Sequence, residues 1–163
     1  MARPNIVLFI TDQQRFDTVG AAGFDFVDTP ALDRLAGSGT LFRHCYCTAL
    51  ACVPSRASFF KGQYPHTTGV LSNLDHWDTS WVELLREAGY RTANIGKMHT
   101  WPMDAPAGFE ERQVLENKDR FRKDSGSEFV DELDKVLARR GLTKPERTYY
   151  SKCADYRERL GAF

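Results

Sequence analysis

No charge of one sign dominates this chain: 22 lysines and arginines stand against 22 aspartates and glutamates. Nucleic-acid binders carry a basic patch or stripe, so no nucleic-acid partner is expected. Long apolar runs are also missing. The stretch from Ile6 to Ile10 falls far short of a bilayer span, so no membrane partner is expected either. The residues ahead of it hold no apolar secretory segment, from which a cytoplasmic location is expected. Cysteines are few. Cys45, Cys47 and Cys52 fall within eight positions and Cys153 is distant, which is no disulfide framework. His44 beside Cys45 and Cys47 lacks the paired spacing of a zinc site. Internal repeats and low-complexity tracts are absent as well.

What remains is ordinary globular material. The 163 residues are 42% hydrophobic, enough for one domain with a real core. Residues 5–11 form a continuous run rich in branched side chains and read as a strand buried on both faces. Thr29-Pro30 opens a helix with Leu32, Leu35 and Ala36 inward and Gly37 as its stop. Residues 40–46 read as a second strand. Ser80-Trp81-Val82-Glu83 reads as a capping box before a helix that faces Trp81, Leu84, Leu85 and Ala88 inward. Residues 91–95 read as a third strand, followed by Gly96-Lys97-Met98-His99. Residues 110–124 are dense in charge and read as exposed, and residues 127–140 as an amphipathic helix carrying Phe129, Leu133, Val136 and Leu137. The last twenty residues are charged and carry no readable motif.

This alternation is an α/β pattern. Open parallel sheets bind ligands beyond the carboxyl ends of their strands. Asp12 follows the first expected strand, the Cys52 segment the second, and Lys97 and His99 the third. Parallel strands would gather all of these groups at one edge.

The most informative stretch runs from Ala51 to His66. A proline fits just inside a helix start, where its missing N–H had no partner, and Gly62 fits the helix end. Cys52 then sits at the positive end of a helix, and Arg56 projects from the same face one turn on. On residue chemistry alone a packed thiol and a solvated guanidinium account for the pair somewhat better.

Cys52-Val53-Pro54-Ser55-Arg56, followed by a short helix and Gly62, resembles the signature of the sulfatase family. The resemblance covers roughly the first hundred residues. It implies an α/β, alkaline-phosphatase-like fold, with a mainly parallel sheet flanked by helices. The 163-residue chain would be the N-terminal portion of a sulfatase catalytic domain, incomplete relative to the family: residues 1–105 hold the sheet and active-site segments, and residues 106–163 a charged, mainly helical extension. The implied reaction is hydrolysis of a sulfuric ester, a sulfate monoester on a small molecule or saccharide. A phosphonate or phosphate ester is the alternative within the superfamily, and a non-catalytic remnant the alternative outside it.

The resemblance also assigns roles. Cys52 would be oxidised to formylglycine by a modifying enzyme that reads Pro54 and Ser55, and its hydrate would be the nucleophile. Arg56 would hold the hydrate. Gly96-Lys97-Met98-His99 resembles the family's Gly-Lys-x-His segment, in which Lys97 would touch sulfate oxygens and His99 the nucleophile or leaving group. Asp12, Gln13 and the modified Cys52 would ligate a divalent metal, commonly calcium, which takes oxygen donors. Many members carry a second Asp where this chain has Gln13. Asn73 either contacts substrate oxygens or forms a turn. His66 supports its loop; His44 and His76 are structural or exposed; Trp77, Trp81 and Trp101 serve packing. Calcium takes roughly six to eight oxygens, and neither Asp124-Ser125-Gly126 nor Asp155-Tyr156 matches the family's later ligands. The chain alone is therefore expected to be weakly active or inactive, with sheet edges prone to associate.

Overall fold

Helix boundaries in this protein are set by local chemistry, strands by whether a partner is present. The structure is a computed structural model and describes residues 3–116 and 130–142. The expected contributions of Phe129, Asp124-Ser125-Gly126, Asp155-Tyr156, Cys153 and the last twenty residues lie outside the described residues. The chain divides into two units, residues 1–46 and 47–163.

The first unit contains a short 3-10 turn, Gly20–Ala22, and helix α1, Pro30–Ser38. Pro30 starts α1 as expected. Thr29 occupies the N-cap position as expected, but its side chain makes no capping bond. Its hydroxyl instead accepts from the Gly20 N–H (2.8 Å) and donates to Asp33 Oδ1 (3.0 Å), which also accepts from the Ala21 N–H (2.8 Å). Helix and turn are thereby fastened through two side chains. Leu32 and Leu35, expected inward, are exposed. The strands expected over residues 5–11 and 40–46 are not formed: neither segment has a ladder partner among the described residues. Val7 is 74% and Phe9 87% exposed. The apolar run specifies what a buried strand needs, but a ladder exists only between two segments, so composition alone does not create it.

The second unit holds α2 (Cys52–Lys61), α3 (Pro65–Thr68), α4 (Val82–Glu87), β1 (Ala93–Gly96), β2 (Glu111–Val114) and α5 (Glu132–Ala138). Val53, Ala57 and Phe60 recur at helical spacing on α2 and are buried with Val70, Trp77, Val82, Met98, Met103 and Ala107. The Phe60 ring lies nearly parallel to Trp77 (centroids 5.8 Å apart) and Trp81 (6.1 Å). Such pairs add about 0.5–1.5 kcal/mol beyond burial itself. At Gly62, φ is 63° and the chain leaves the helix in the left-handed region, as its sequence position indicates.

Helix α4 departs from the expected capping box. Ser80 Oγ accepts from the Val82 N–H (3.2 Å) rather than from Glu83, and donates to the Ala107 carbonyl (2.5 Å). It therefore ties the helix start to the loop before β2. Val82 is the buried residue of α4, and Leu84 is exposed.

β1 and β2 pair in parallel, with Ala93 opposite Glu111 and Gly96 opposite Val114. β1 lies two residues later than the expected strand at its start and ends at Gly96. β2 falls in the segment read as exposed charge. Its inward positions alternate, with Arg112 half-buried and Val114 buried, and Glu116, two residues past the strand, is buried in turn. The connection between the strands is pinned by Arg112, which donates through Nη1 to Thr100 Oγ1 (3.0 Å) and the Ala105 carbonyl, and through Nε to Asn94 Oδ1 (3.4 Å). Burial holds this guanidinium below its ordinary pKa despite nearby Glu116 and Asp104. α5 begins at Asp131, whose Oδ1 accepts from the Asp134 N–H (2.9 Å) while Asp134 Oδ2 accepts from the Asp131 N–H (3.3 Å). This reciprocal cap starts the helix five residues later than its apolar spacing alone indicates. No helix among the described residues is long and apolar enough to cross a membrane.

Candidate active site

Cys52 is the first residue of α2 and is half-buried. Ala51, the preceding residue, has no side chain to cap the helix. Asn73 supplies the missing acceptor from a separate loop: its Oδ1 accepts from the Val53 N–H (3.0 Å) and from the Cys52 Sγ–H (3.3 Å). One amide oxygen thus satisfies an otherwise unpaired helix donor and fixes the thiol direction. The Asn73 loop is held in turn by Asp75, whose Oδ2 accepts from the Leu71 and Ser72 N–H groups at 2.7 Å each. Those hydrogen bonds keep the Asp75 carboxyl below its ordinary pKa.

Arg56 lies one turn along α2 from Cys52. Its Nη1 donates to the Lys97 carbonyl at 2.6 Å, which joins α2 to the segment leaving β1. Lys97 itself is half-buried. Two residues on, His99 adopts φ 60°, a left-handed backbone rare outside glycine and asparagine. Glu116 holds it there. Oε1 of Glu116 accepts from the Met98 N–H (3.1 Å) and the His99 N–H (2.8 Å), and Oε2 lies 3.0 Å from His99 Nε2. The two side chains are 1% and 4% exposed. Burial raises the Glu116 carboxyl pKa. The close approach of His99 Nε2, with the two backbone N–H groups, more than offsets this, and the pKa lies below its ordinary value. The Glu116 N–H donates to Asp131 Oδ2 (2.9 Å), which couples the site to the cap of α5.

The structure thus brings together Cys52, Arg56, Asn73 and the Lys97–His99 segment within the second unit. The parallel pair places the Lys97–His99 segment and Glu116 past the carboxyl ends of adjacent strands, where such sheets bind ligands. His66 is exposed and stacks on Tyr64; His76 stacks on Trp101 at 4.8 Å. Asp12 and Gln13 belong to the first unit and are exposed, with Gln13 at φ 49°. A carboxylate and an amide oxygen on consecutive residues suit a hard divalent cation as part of its ligand set. No group of three or more His, Cys, Asp or Glu assembles as metal ligands among the described residues. Glu116 and Asp131 are functional candidates that the sequence reading missed. The period-two alternation of Arg112, Val114 and Glu116 was the available signal for the first, and the Asp131-x-x-Asp134 spacing for the second.

A family model described as Sulfatase matches residues 4–152. N-acetylglucosamine-6-O-sulfatase of Bacteroides thetaiotaomicron is 34% identical over 116 residues, covering 69% of this chain and 20% of the relative. Choline-sulfatase of Rhizobium meliloti is 38% identical over 113 residues, covering 68% of this chain and 22% of the relative. The chain therefore spans about a fifth of the length of these relatives. Among solved structures, a protein in complex with its substrate D-glucosamine-2-N,6-O-disulfate superposes with a TM-score of 0.67 and 32% identity, covering 72% of this chain and 24% of that one. The phosphonate monoester hydrolase of Agrobacterium radiobacter superposes at 0.62 with 27% identity, covering 80% and 30%. Both carry the alkaline-phosphatase-like fold of which this chain forms a part. A family match over most of its residues, with the Cys52 signature at the head of α2, makes the chain a member of the sulfatase family.

Proposed function

We propose that this chain carries the nucleophile and anion-clamping segments of a sulfuric ester hydrolase acting on a sulfate monoester of a small molecule or saccharide. The observation that carries the reading is the placement of Cys52 at the first position of α2, its thiol on Asn73 and its helix fastened to Lys97 through Arg56. Oxidised to formylglycine, this residue would supply a hydrate with one hydroxyl to attack sulfur and a second to release sulfate. The Asn73 amide oxygen, already accepting from the thiol, would accept from a hydroxyl in the same place. Arg56 holds the Lys97 main chain, and Lys97 contributes a positive charge for sulfate oxygens. Asp12 and Gln13 would contribute oxygens to a divalent cation, calcium being the one expected, which would supply Lewis-acid chemistry.

A second reading is favoured by the likeness to a phosphonate monoester hydrolase, together with Gln13 and Asn73: the ester would then be a phosphonate or phosphate. Two measurements separate the outcomes. After co-expression with a formylglycine-generating enzyme, the Cys52 peptide should lose about 18 Da in the mass spectrum, the stoichiometry of thiol replaced by aldehyde. An unchanged thiol removes the formylglycine reading and favours a remnant without catalysis. Turnover of aryl sulfate above aryl phosphonate supports the sulfatase; the reverse order supports the alternative.

A further inference from the structure

We propose that Glu116 is the positioning residue of the Lys97–His99 segment, holding the left-handed turn at His99 and fixing the imidazole as its Nε2–H tautomer. The proposal rests on the reading of Lys97 and His99 as sulfate-site residues.

Two backbone hydrogen bonds and one ring nitrogen of one short segment converge on one carboxylate. The Met98 and His99 N–H groups point at Oε1, and Nε2 of His99 stands 3.0 Å from Oε2. An ionised carboxylate only accepts, so the nitrogen facing it carries the proton. Oε1 also offsets the cost of a left-handed backbone at a residue with a full side chain. Such strain persists only where the surroundings enforce it, and here the enforcing group is identified. The segment is held on its other side by Arg56, which grips the Lys97 carbonyl at 2.6 Å. The peptide unit that follows Lys97 is therefore gripped at its carbonyl by Arg56 and at its N–H by Glu116.

Glu116 is itself fixed. Its N–H binds Asp131 Oδ2, and Asp131 is locked by its reciprocal bonds with Asp134. Arg112, two inward steps earlier along the chain, lies near enough for Glu116 to favour its positive charge against burial. The cap of α5 thus stands behind the histidine through two carboxylates, both buried. The chemistry is that of a carboxylate orienting a catalytic imidazole.

Glu116→Gln tests this directly. The glutamine oxygen can keep the two backbone N–H groups, which turns the amide NH₂ toward Nε2 and demands a lone pair there. Nitrogen-15 NMR of the ring-labelled full chain should show the Nε2–H form of His99 in the wild type and the Nδ1–H form in the variant. An Nδ1–H wild type, or an unchanged tautomer in the variant, overturns the proposal. The wild-type spectrum alone decides it should the variant fail to fold. Where the wild type turns over aryl sulfate, the variant should lose about 10- to 100-fold in kcat with KM held within about twofold. An unchanged kcat overturns the positioning role. A wild type with no turnover on either ester overturns the proposed function instead, and the tautomer measurement still decides Glu116.

Discussion

Asn73 Oδ1 serves as the N-terminal cap of α2 from outside the helix, accepting from the Val53 N–H at 3.0 Å while also receiving the Cys52 thiol at 3.3 Å. Helix caps normally come from the residue just before the helix, and here that residue is alanine. Asn73→Ala should lower unfolding stability by about 1–2 kcal/mol, the usual cost of a lost cap or a buried donor left unpaired. Asn73→Asp keeps an acceptor and adds a negative charge at the positive helix end, so its stability should stay near the wild type. Denaturant melts of the three forms check both expectations. Equal loss in both variants would remove the capping role.

The Glu116 carboxyl predicts the acid side of the stability curve. Its folded pKa is depressed below the ordinary value of 4.5. Its contribution is present in full above the unfolded pKa and is lost as the pH falls through the folded one. Asp17 and Asp75 are also depressed and share the same acid limb. Subtraction isolates Glu116: Glu116→Gln should show a shallower fall in unfolding free energy below about pH 4.5 than the wild type. Urea melts from about pH 3 to pH 7 measure this. Parallel curves would show that the carboxyl is not held by His99.

The two kinds of element were unequally legible in the sequence. α2 was readable in full because its signals are local: Pro54 inside the start and Gly62 at a left-handed stop. Residues 5–11 carry an equally clear apolar run, but a strand is a relation between segments and no pairing forms there among the described residues. β2 was hidden because Glu-Arg-Gln-Val has the composition of an exposed charged segment. Its inward Arg112 is accommodated by Thr100, Ala105 and Asn94, which only the folded chain brings to it. Glu116 was hidden for the same reason. A single glutamate has no motif, and its partner His99 lies 17 residues earlier in the chain. The parallel pairing of β1 and β2, not sequence spacing, makes them neighbours.

Gly108 is required by geometry at a close backbone approach. Its φ is 85°, and a Cβ there would lie 2.8 Å from the Val82 carbonyl carbon and still closer to the Glu83 N. Both atoms belong to the start of α4, which cannot withdraw without breaking the Ser80–Ala107 bond. Gly108→Ala should therefore destabilise the chain by about 2–4 kcal/mol, combining overpacking with a left-handed alanine. Gly23 has a similar φ of 99° but nothing near its Cβ position, so Gly23→Ala should cost only the conformational part, about 1–2 kcal/mol. Thermal melts of the two variants separate steric from conformational cost. Equal losses would remove the contact argument.

Gln13 offers a test of the cation reading that does not depend on turnover. Its backbone sits at φ 49°, a region that Asp and Asn enter more readily than most side chains. Gln13→Asp is therefore compatible with the local fold while replacing a neutral oxygen donor by a charged one beside Asp12. Calcium affinity rises with the number of ligand charges. If residues 12 and 13 supply the oxygens proposed, calcium titration calorimetry should show tighter binding in Gln13→Asp, by roughly tenfold for about 1.4 kcal/mol of added attraction. Asp12→Asn should weaken binding in the same assay. Identical affinities in all three forms would remove both residues from the cation site while leaving Cys52, Arg56 and Lys97 in theirs.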